Sequence, residues 1–246
     1  MSEYLDTAQG RRIAYHRSMG RGPGVVFLGG FKSDMTGTKA LYLQDWAGAR
    51  GQAFLRFDYS GHGDSSGRFE DGCIGDWAED AHAAIESLTE GPQVLVGSSM
   101  GGWISLLMAR ALPHRVAGLV TIAAAADFTE RGFWAGFSEA QRATLMRDGR
   151  IELPSEYDDQ PYVITRQLIE EGRKQLLMTG PLSLPFPVRM LQGTADLDVP
   201  MGWALDLLDH ASGEDIRLTL VKGADHRFST PDCLSMIAGA IEDVLA

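Results

Sequence analysis

The chain of 246 residues has the composition of a globular protein, with 44% hydrophobic and 22% charged residues, enough for a sizeable core. Its formal net charge is −11, and no cluster of Lys and Arg occurs, which makes nucleic acids and anionic membranes poor partners. We expect a single domain over residues 1–246.

The cysteines and the N-terminal sequence bear on where the protein works. Cys73 and Cys233 are too few for a disulfide framework, so we expect buried thiols. No apolar stretch has transmembrane length, and residues 1–6 lack the basic and apolar regions of a signal peptide. These features predict a cytoplasmic protein without a membrane span.

Apolar runs alternate with helix-like segments along most of the chain. A short edge strand is predicted at residues 11–16, followed by a turn at 20–24. Further strands are predicted at residues 25–28, 53–58, 93–96, 116–123, 188–193 and 216–221. Helices are predicted at residues 38–49, 74–88, 99–112, 201–210 and 231–245. This alternation predicts the α/β class, with a mostly parallel, doubly wound sheet.

The alternation is interrupted between residues 127 and 187, where the chain is polar and aromatic. One helix is predicted here, at residues 139–147, and the segment is too long for a connecting loop. We predict a small lid insertion over the carboxyl ends of the strands, the alternative being a packing segment without a role at the site. Its aromatic residues include Phe128, Phe133, Trp134, Phe137, Tyr157 and Tyr162.

The sequence Gly97-Ser98-Ser99-Met100-Gly101 has the pattern of a nucleophile elbow, in which a serine stands on a sharp turn between a buried strand and a helix. Glycines on both sides remove the clashes that such a turn would impose. A second copy of the pattern, at residues 63–67, lies in a polar Gly-rich segment without a flanking strand or helix. Ser99, and not Ser65, is therefore the predicted nucleophile.

A serine nucleophile needs a base and an acid that orients the base. In the expected order of serine, acid and histidine, His226 follows the last strand and is the predicted base, whereas His210 ends a helix. Asp196, at the end of the penultimate strand, is the predicted acid, with Asp198 and Asp127 as alternatives. An earlier histidine, His62, is interpreted as structural and not as a second catalytic group.

Two backbone N–H groups are predicted to bind the oxyanion of the tetrahedral intermediate. One belongs to Met100, and the other to Phe31, with Gly30 as the alternative. Predicted substrate-binding residues are Gly30, Trp103, Trp134 and Arg227, and Lys32 is a further candidate cation. Neither metal-ligand spacing nor a phosphate loop is found in the sequence, so no metal and no organic cofactor are predicted.

At residues 29–40, 56–61, 91–103 and 225–227, the chain resembles the serine α/β-hydrolases. The resemblance extends over the whole length. It is closest to the branch of the mitochondrial palmitoyl-protein thioesterase that also cleaves acyl glucuronides. It implies the α/β-hydrolase fold, with Ser99 as nucleophile, Asp196 as acid and His226 as base. The chain differs from this branch in lacking a transit peptide, from which we expect a bacterial-type relative. It also differs in the segment 127–187, which matches the family least well, so the resemblance does not specify the substrate.

The expected function is hydrolysis of carboxylic esters or thioesters through an acyl-serine intermediate. The substrate would be a small ester or thioester, or an S-acylated protein. A serine nucleophile argues against dehalogenases and epoxide hydrolases of this fold, which use aspartate. Carbon–carbon bond hydrolases and perhydrolases share the triad and remain alternatives, as does a non-catalytic binding module.

Overall fold

A computed structural model describes residues 2–154 and 161–246. Its strands are Glu3–Asp6 (β1), Arg12–Ser18 (β2), Arg21–Leu28 (β3), Gln52–Phe57 (β4), Gln93–Ser98 (β5), Val116–Ile122 (β6), Arg150–Leu153 (β7), Tyr162–Thr165 (β8), Leu182–Ser183 (β9), Val188–Gly193 (β10), Ala211–Ser212 (β11) and Ile216–Val221 (β12). Its α-helices are Thr38–Arg50 (α1), Ile74–Leu88 (α2), Met100–Ala111 (α3), Glu139–Asp148 (α4), Arg166–Gly172 (α5), Met201–His210 (α6) and Pro231–Leu245 (α7).

Eight strands form the central sheet, in the order β1-β2-β4-β3-β5-β6-β10-β12. The strand β2 runs antiparallel to both its neighbours, β1 and β4, and all the other pairings are parallel. The predicted α/β class with a mostly parallel sheet is confirmed. Because the carboxyl ends of β3, β5, β10 and β12 meet at one edge of this sheet, the loops that follow these strands lie close together.

Helices cover both faces of the sheet. Successive side chains of β3 point to opposite faces, so Val26 and Leu28 join the core that includes α2 and α3, whereas Val25 and Phe27 join the core that includes α1 and α7. Burial on both faces explains why the strands are continuous apolar runs and not alternating ones. Cys73 and Cys233 are buried free thiols, as predicted.

The predicted start of the sheet needs correction. The strand at residues 11–16 is not an edge strand, because β1 pairs with it and covers its outer side. Leu5 is partly buried, and the other three residues of β1 are exposed. The sequence of β1 therefore has no apolar pattern that would predict a strand. Residues 21–24 of the turn predicted at 20–24 belong to β3, whose pairing with β4 shifts register between Arg21 and Val25.

Between β6 and β10 the chain leaves the central sheet. This segment contains a π-helical turn, Thr129–Trp134, then α4, an antiparallel pair formed by β7 and β8, and α5. The helix predicted at residues 139–147 is α4, whereas β7, β8 and α5 were not predicted. Tyr157, one of the predicted lid aromatics, lies outside the described residues. Assignment of residues 127–187 as a lid within one domain stays a prediction.

None of the helices in the described part of the chain has both the length and the apolar character needed to cross a membrane.

Candidate active site

Ser99 stands at the turn between β5 and α3 in a backbone conformation rare for a side-chain-bearing residue, with φ 55° and ψ −118°. Such a conformation costs about 1–3 kcal/mol and persists only where the surroundings hold it. Here the Ser99 N–H donates to Ile122 O at 2.9 Å, and the Ser99 carbonyl accepts from Ala125 N–H at 3.1 Å. The neighbouring strand β6 and the residues after it therefore hold the turn.

The two glycines of the elbow pack directly against backbone. A Cβ atom at Gly97 would lie 2.3 Å from Gly101 O, and a Cβ at Gly101 would lie 2.1 Å from Leu28 O. Both distances are far below van der Waals contact, so neither position accepts a side chain without a backbone shift. The helix α3 consequently begins close to β3 and β5, with Ser99 immediately before its first turn.

Three side chains from different loops form one hydrogen-bonded chain. Ser99 Oγ lies 3.1 Å from His226 Nε2, and His226 Nδ1 lies 2.9 Å from Asp196 Oδ2. A carboxylate only accepts, so Nδ1 carries the proton and Nε2 accepts from the serine hydroxyl. The structure thus brings together the predicted nucleophile, base and acid, although they are separated by up to 127 residues in sequence.

Asp196 is held as a carboxylate by its surroundings. Its side chain is buried and accepts N–H groups from Val199 at 2.8 Å, Asp198 at 3.0 Å and Gln192 Nε2 at 3.0 Å, in addition to His226. Burial acts to raise the pKa of this carboxyl, but these hydrogen bonds outweigh it and the pKa lies below its ordinary value. A negative charge is therefore kept behind the imidazole ring.

Two of the other candidates for acid and base, Asp127 and His210, form hydrogen bonds with backbone groups of residues 177–180. Asp127 accepts the N–H groups of Leu177 and Met178 at 2.9 and 3.0 Å, and His210 Nε2 lies 2.8 Å from the Gly180 carbonyl. Asp198 is exposed, and its carboxylate lies within 4.8 Å of the ligand atoms of Asp196 and His226. Among the described residues, Asp196, Asp198 and His226 form the group of three side chains that could together ligate a metal ion. Two of these, Asp196 and His226, are already hydrogen-bonded to each other.

The second Gly-x-Ser-x-Gly copy has a structural role. Ser65 Oγ donates to Asp58 O at 2.7 Å and accepts from Ala14 N–H at 2.8 Å. These bonds tie the loop after β4 to β2. No elbow forms at this position, in agreement with the choice of Ser99.

Ser99 lines a cavity of about 450 Å³ that has both apolar and polar lining residues. The apolar lining residues include Phe31, Met100, Ala125, Phe128, Phe133, Tyr162 and Trp203. The polar lining residues include Lys32, Ser33, Asp34, Thr38, Lys39, Arg227 and Ser229. The Phe31 ring is surrounded edge to face by aromatic rings at centroid distances of 4.8–6.0 Å, those of Phe69, Trp77, Phe128, Phe133 and Tyr162.

Lys39 is a cavity residue that the sequence analysis missed. Its Nζ donates to Arg227 O at 2.5 Å, next to the predicted base in the chain. Burial lowers the pKa of Lys39 to about 8; the nearby Asp225 carboxylate opposes this shift and Arg227 adds to it. A lysine in the first turn of α1, where the helix dipole disfavours a cation, was a signal that this residue has another role.

Of the residues predicted to bind substrate, the structure places Gly30 and Arg227 on the cavity lining, but not Trp103 or Trp134. Trp103 is fully buried, and its Nε1 donates to Gln175 O at 3.3 Å. Trp134 packs against the guanidinium groups of Arg142 and Arg173, at 5.2 and 4.5 Å from its ring centre. The predicted oxyanion residues Phe31 and Met100 both line the cavity.

A mostly parallel sheet with a serine on the strand–helix turn defines the class of this protein: the chain belongs to the alpha/beta hydrolase family, whose model matches residues 37–162. Among curated proteins it is similar to the mitochondrial palmitoyl-protein thioesterase ABHD10 of Bos taurus, with 36% identity over 95% of this chain and 76% of that protein. The predicted resemblance is thus confirmed.

Solved structures agree with this assignment. The mouse alpha/beta hydrolase domain-containing protein 10 superimposes with a TM-score of 0.93 and 32% identity, over 100% of this chain and 98% of the other. A protein from Agrobacterium vitis S4 that is assigned only as a hydrolase gives a TM-score of 0.95 and 40% identity, over 100% and 99% of the two chains. The chain is an enzyme of the hydrolase class.

Proposed function

We propose that this enzyme hydrolyses carboxylic esters or thioesters through an acyl intermediate on Ser99. The observation that carries the proposal is the hydrogen-bonded chain from Ser99 through His226 to Asp196, with its serine end open to the cavity. A buried carboxylate, a singly protonated imidazole and a hydroxyl on the cavity lining, in this order, are the parts that nucleophilic acyl transfer requires.

In the first half-reaction, Ser99 Oγ attacks the substrate carbonyl carbon while His226 Nε2 takes the hydroxyl proton. Asp196 stabilises the imidazolium that forms. The carbonyl oxygen becomes an oxyanion, which the N–H groups of Met100 and Phe31 bind. Met100 is the first residue of α3, and the first N–H groups of a helix have no acceptor within the helix. The carbon–oxygen or carbon–sulfur bond then breaks, and His226 gives its proton to the leaving group.

In the second half-reaction, water replaces the leaving group. His226 Nε2 takes a proton from the water as its oxygen attacks the acyl carbon, and a second tetrahedral oxyanion forms in the same place. Its collapse returns the proton from His226 to Ser99 Oγ and releases the carboxylic acid. This mechanism uses only side chains and backbone of the protein, with no metal and no organic cofactor.

The mixed lining of the cavity favours a substrate with an apolar acyl group and a polar leaving group. The aromatic cluster around Phe31 suits the acyl group, and the pair of Lys39 and Arg227 suits a polar alcohol or thiol. The name of the bovine relative supports an S-acylated protein as substrate. A leaving group that bears a carboxylate, as in an acyl glucuronide, is the second candidate, because Lys39 and Arg227 are cationic.

The location within a cell is open to a direct test. The sequence predicts a cytoplasmic protein, whereas the similar bovine protein is named as mitochondrial. Cell fractionation with an antibody against the native protein separates the two.

The function is tested with p-nitrophenyl esters from acetyl to palmitoyl and with a matched acyl thioester. We expect Ser99→Ala to abolish hydrolysis and a fluorophosphonate to label the wild type at Ser99. The control is Ser65→Ala, which removes the serine of the second Gly-x-Ser-x-Gly copy and keeps activity. Hydrolysis that survives Ser99→Ala, or labelling at another residue, contradicts the proposal. A folded wild type that hydrolyses no ester or thioester but is labelled points to a carbon–carbon bond hydrolase or a perhydrolase.

A further inference from the structure

A buried histidine outside the hydrogen-bonded chain contacts the turn that carries Phe31. His62 is 4% exposed and lies in the Gly-rich loop after β4. Its Nε2 lies 3.2 Å from the backbone N of Lys32, and its Nδ1 lies 3.2 Å from Ser60 O. A backbone N–H can only donate and a carbonyl can only accept, so the two partners require a neutral ring protonated at Nδ1.

The turn needs such a partner because its backbone is strained. Lys32 has φ 57°, a left-handed conformation that side-chain-bearing residues rarely adopt. A hydrogen bond from Ser33 N–H to Gly30 O, at 3.2 Å, closes the turn on one side. The bond from Lys32 N–H to His62 holds the other side. The N–H of Phe31 lies one peptide unit before the N–H that His62 binds, so its direction depends on the same turn.

Further hydrogen bonds and ring contacts fix the position of the His62 side chain. The Ser60 carbonyl that accepts from His62 also accepts from Trp77 Nε1 at 3.0 Å. The N–H and hydroxyl of Ser60 both donate to Asp80 Oδ2, at 2.9 and 2.6 Å, and Asp80 is paired with Arg11 at 2.6 Å. The rings of Phe69 and Trp77 pack edge-on against the imidazole, each at 5.1 Å between ring centres. The acceptor nitrogen therefore has one fixed position.

We propose that His62 is a positioning residue that aims the Phe31 N–H at the substrate oxyanion, by accepting the Lys32 N–H with its neutral ring. The inference rests on the proposed acyl-serine mechanism. It explains why a histidine occupies this site: its two nitrogens give a donor and an acceptor in a fixed plane, and a protonated ring would set an N–H against the Lys32 N–H.

Two substitutions separate the two bonds of the ring. In His62→Asn, the side-chain amide nitrogen takes the place of Nδ1 and still donates to Ser60 O, but nothing reaches Lys32. In His62→Gln, the side-chain carbonyl oxygen takes the place of Nε2 and accepts the Lys32 N–H. Removing one oxyanion donor outright costs about 100- to 1,000-fold in kcat. Since His62→Asn only releases the donor, we expect kcat to fall about 10- to 100-fold with KM changed less than about threefold.

The conservative substitution provides the rescue. We expect His62→Gln to return kcat to within about threefold of the wild type. Ser65→Ala is the structural control, because it removes two hydrogen bonds from the same loop without touching the turn. It is expected to lower the melting temperature and to keep kcat. A wild-type kcat in His62→Asn, or equal losses in His62→Asn and His62→Gln, overturns the proposal.

Labelling keeps this test apart from the test of the proposed function. If a fluorophosphonate labels Ser99 in the wild type, the acyl-serine mechanism stands whatever the His62 variants do; if it labels another residue, the mechanism itself fails.

Should His62→Asn not fold, ¹⁵N-histidine NMR of the wild type supplies the test. The His62 ring must be the neutral Nδ1–H form, and a trifluoromethyl ketone bound to Ser99 must slow amide exchange at Phe31. An Nε2–H form, or unchanged exchange, overturns the proposal.

Discussion

His226 donates its Nδ1–H to Asp196 Oδ2 at 2.9 Å, which places the other ring nitrogen, without a proton, towards Ser99 Oγ. The carboxylate in turn accepts the N–H groups of Asp198 and Val199 through its other oxygen, so it cannot rotate away without losing them. The orientation and the protonation of the base are therefore both set by one buried side chain.

Exchange of this carboxylate for an amide tests its role in orienting the base. In Asp196→Asn the amide oxygen still accepts from Val199 N–H, but the amide NH₂ faces His226 Nδ1. The ring must then move its proton to Nε2, where it can no longer accept from Ser99. We expect kcat to fall by about 1,000- to 10,000-fold with the fold retained, measured by ester hydrolysis and circular dichroism.

The matched control is Asp127→Asn, which alters another of the candidate acids. Asp127 has φ 60°, a conformation that Asn tolerates, and its two carboxylate oxygens accept the N–H groups of Leu177 and Met178. An amide keeps only one of these bonds, so we expect a lower melting temperature and a kcat within about threefold of the wild type. A large loss of kcat in the control, or none in Asp196→Asn, would reverse the assignment.

The packing of the elbow is tested by adding a single methyl group. In Gly101→Ala the new Cβ would lie 2.1 Å from Leu28 O, a backbone atom that cannot move without disturbing β3. We expect the free energy of unfolding to fall by about 3 kcal/mol or more, as for overpacking, together with a loss of activity. Chemical denaturation followed by fluorescence measures the change.

An equivalent glycine supplies the comparison. Gly202 occupies the second position of α6, as Gly101 does in α3, and a Cβ built there meets no described atom within 4 Å. Because alanine favours the helix, Gly202→Ala is expected to stabilise the protein by up to about 1 kcal/mol. Equal destabilisation by both substitutions would mean that the contact with Leu28 O is not the cause.

The role of the apolar lining residues is tested through the length of the acyl chain. Phe133 is half-buried and lines the cavity, with its ring 5.9 Å from that of Phe31. Its removal in Phe133→Ala enlarges this side of the cavity, so we expect kcat/KM to shift towards longer or bulkier acyl groups. A panel of p-nitrophenyl esters from acetyl to palmitoyl measures the profile.

Phe137 distinguishes enlargement of the cavity from general loosening. Its ring stacks on Phe133 at 6.2 Å, but it is buried away from the cavity lining. Phe137→Ala is expected to cost about 3 kcal/mol of stability without a change of chain-length profile. If both substitutions shift the profile alike, the Phe133 ring on the cavity lining does not select the acyl group.

Acid is expected to destabilise the protein partly through His62. Burial lowers the pKa of His62 to about 4, against a small opposing effect of its bond to Ser60 O. A lowered folded-state pKa means that the unfolded chain binds the proton first. The stabilising contribution is thus complete above pH 6.5 and is lost as pH falls towards about 4. The loss corresponds to roughly 3 kcal/mol.

The measurement compares the free energies of unfolding of the wild type and His62→Gln at several pH values. Taking the difference cancels the contributions of the buried carboxyls Asp58 and Asp80, whose pKa values burial raises. We expect this difference to change by about 3 kcal/mol between pH 7 and pH 4, to the disadvantage of the wild type. A difference independent of pH would show that His62 has the same pKa in the folded and the unfolded chain, so that burial does not lower it.

The sequence predicted the central strands and the helices that cover them because strong, local signals specify them. The ranges of α2, α6, α7, β10 and β12 agree with those predicted, since each is an apolar or amphipathic run with a clear start and end. The three members of the hydrogen-bonded chain were found because a mechanism requires a serine, an acid and a base at strand ends in a known order.

What the sequence did not predict depends on contacts between distant residues. The strand β1 exists through pairing with β2, and the pair of β7 with β8 forms inside a segment with mixed polarity. Trp103 was predicted to bind substrate as an aromatic residue near the nucleophile that could contact an acyl group, but it is fully buried in the core. Lys39 enters the cavity only through the contact of α1 with the loop of His226.

Asp127 stands at the start of a segment of about fifty residues, and its carboxylate accepts the N–H groups of Leu177 and Met178 at the end of that segment. These two hydrogen bonds hold the ends of the segment together. The free-energy cost of closing a loop rises only slowly with its length. Exposed stretches between these ends can therefore be lengthened or shortened at small cost, whereas buried residues of the segment such as Phe137 contribute to stability. The elbow, on its own strand, keeps its geometry. We expect related enzymes to diverge in substrate preference mainly through this segment, with the chemistry at Ser99 left unchanged.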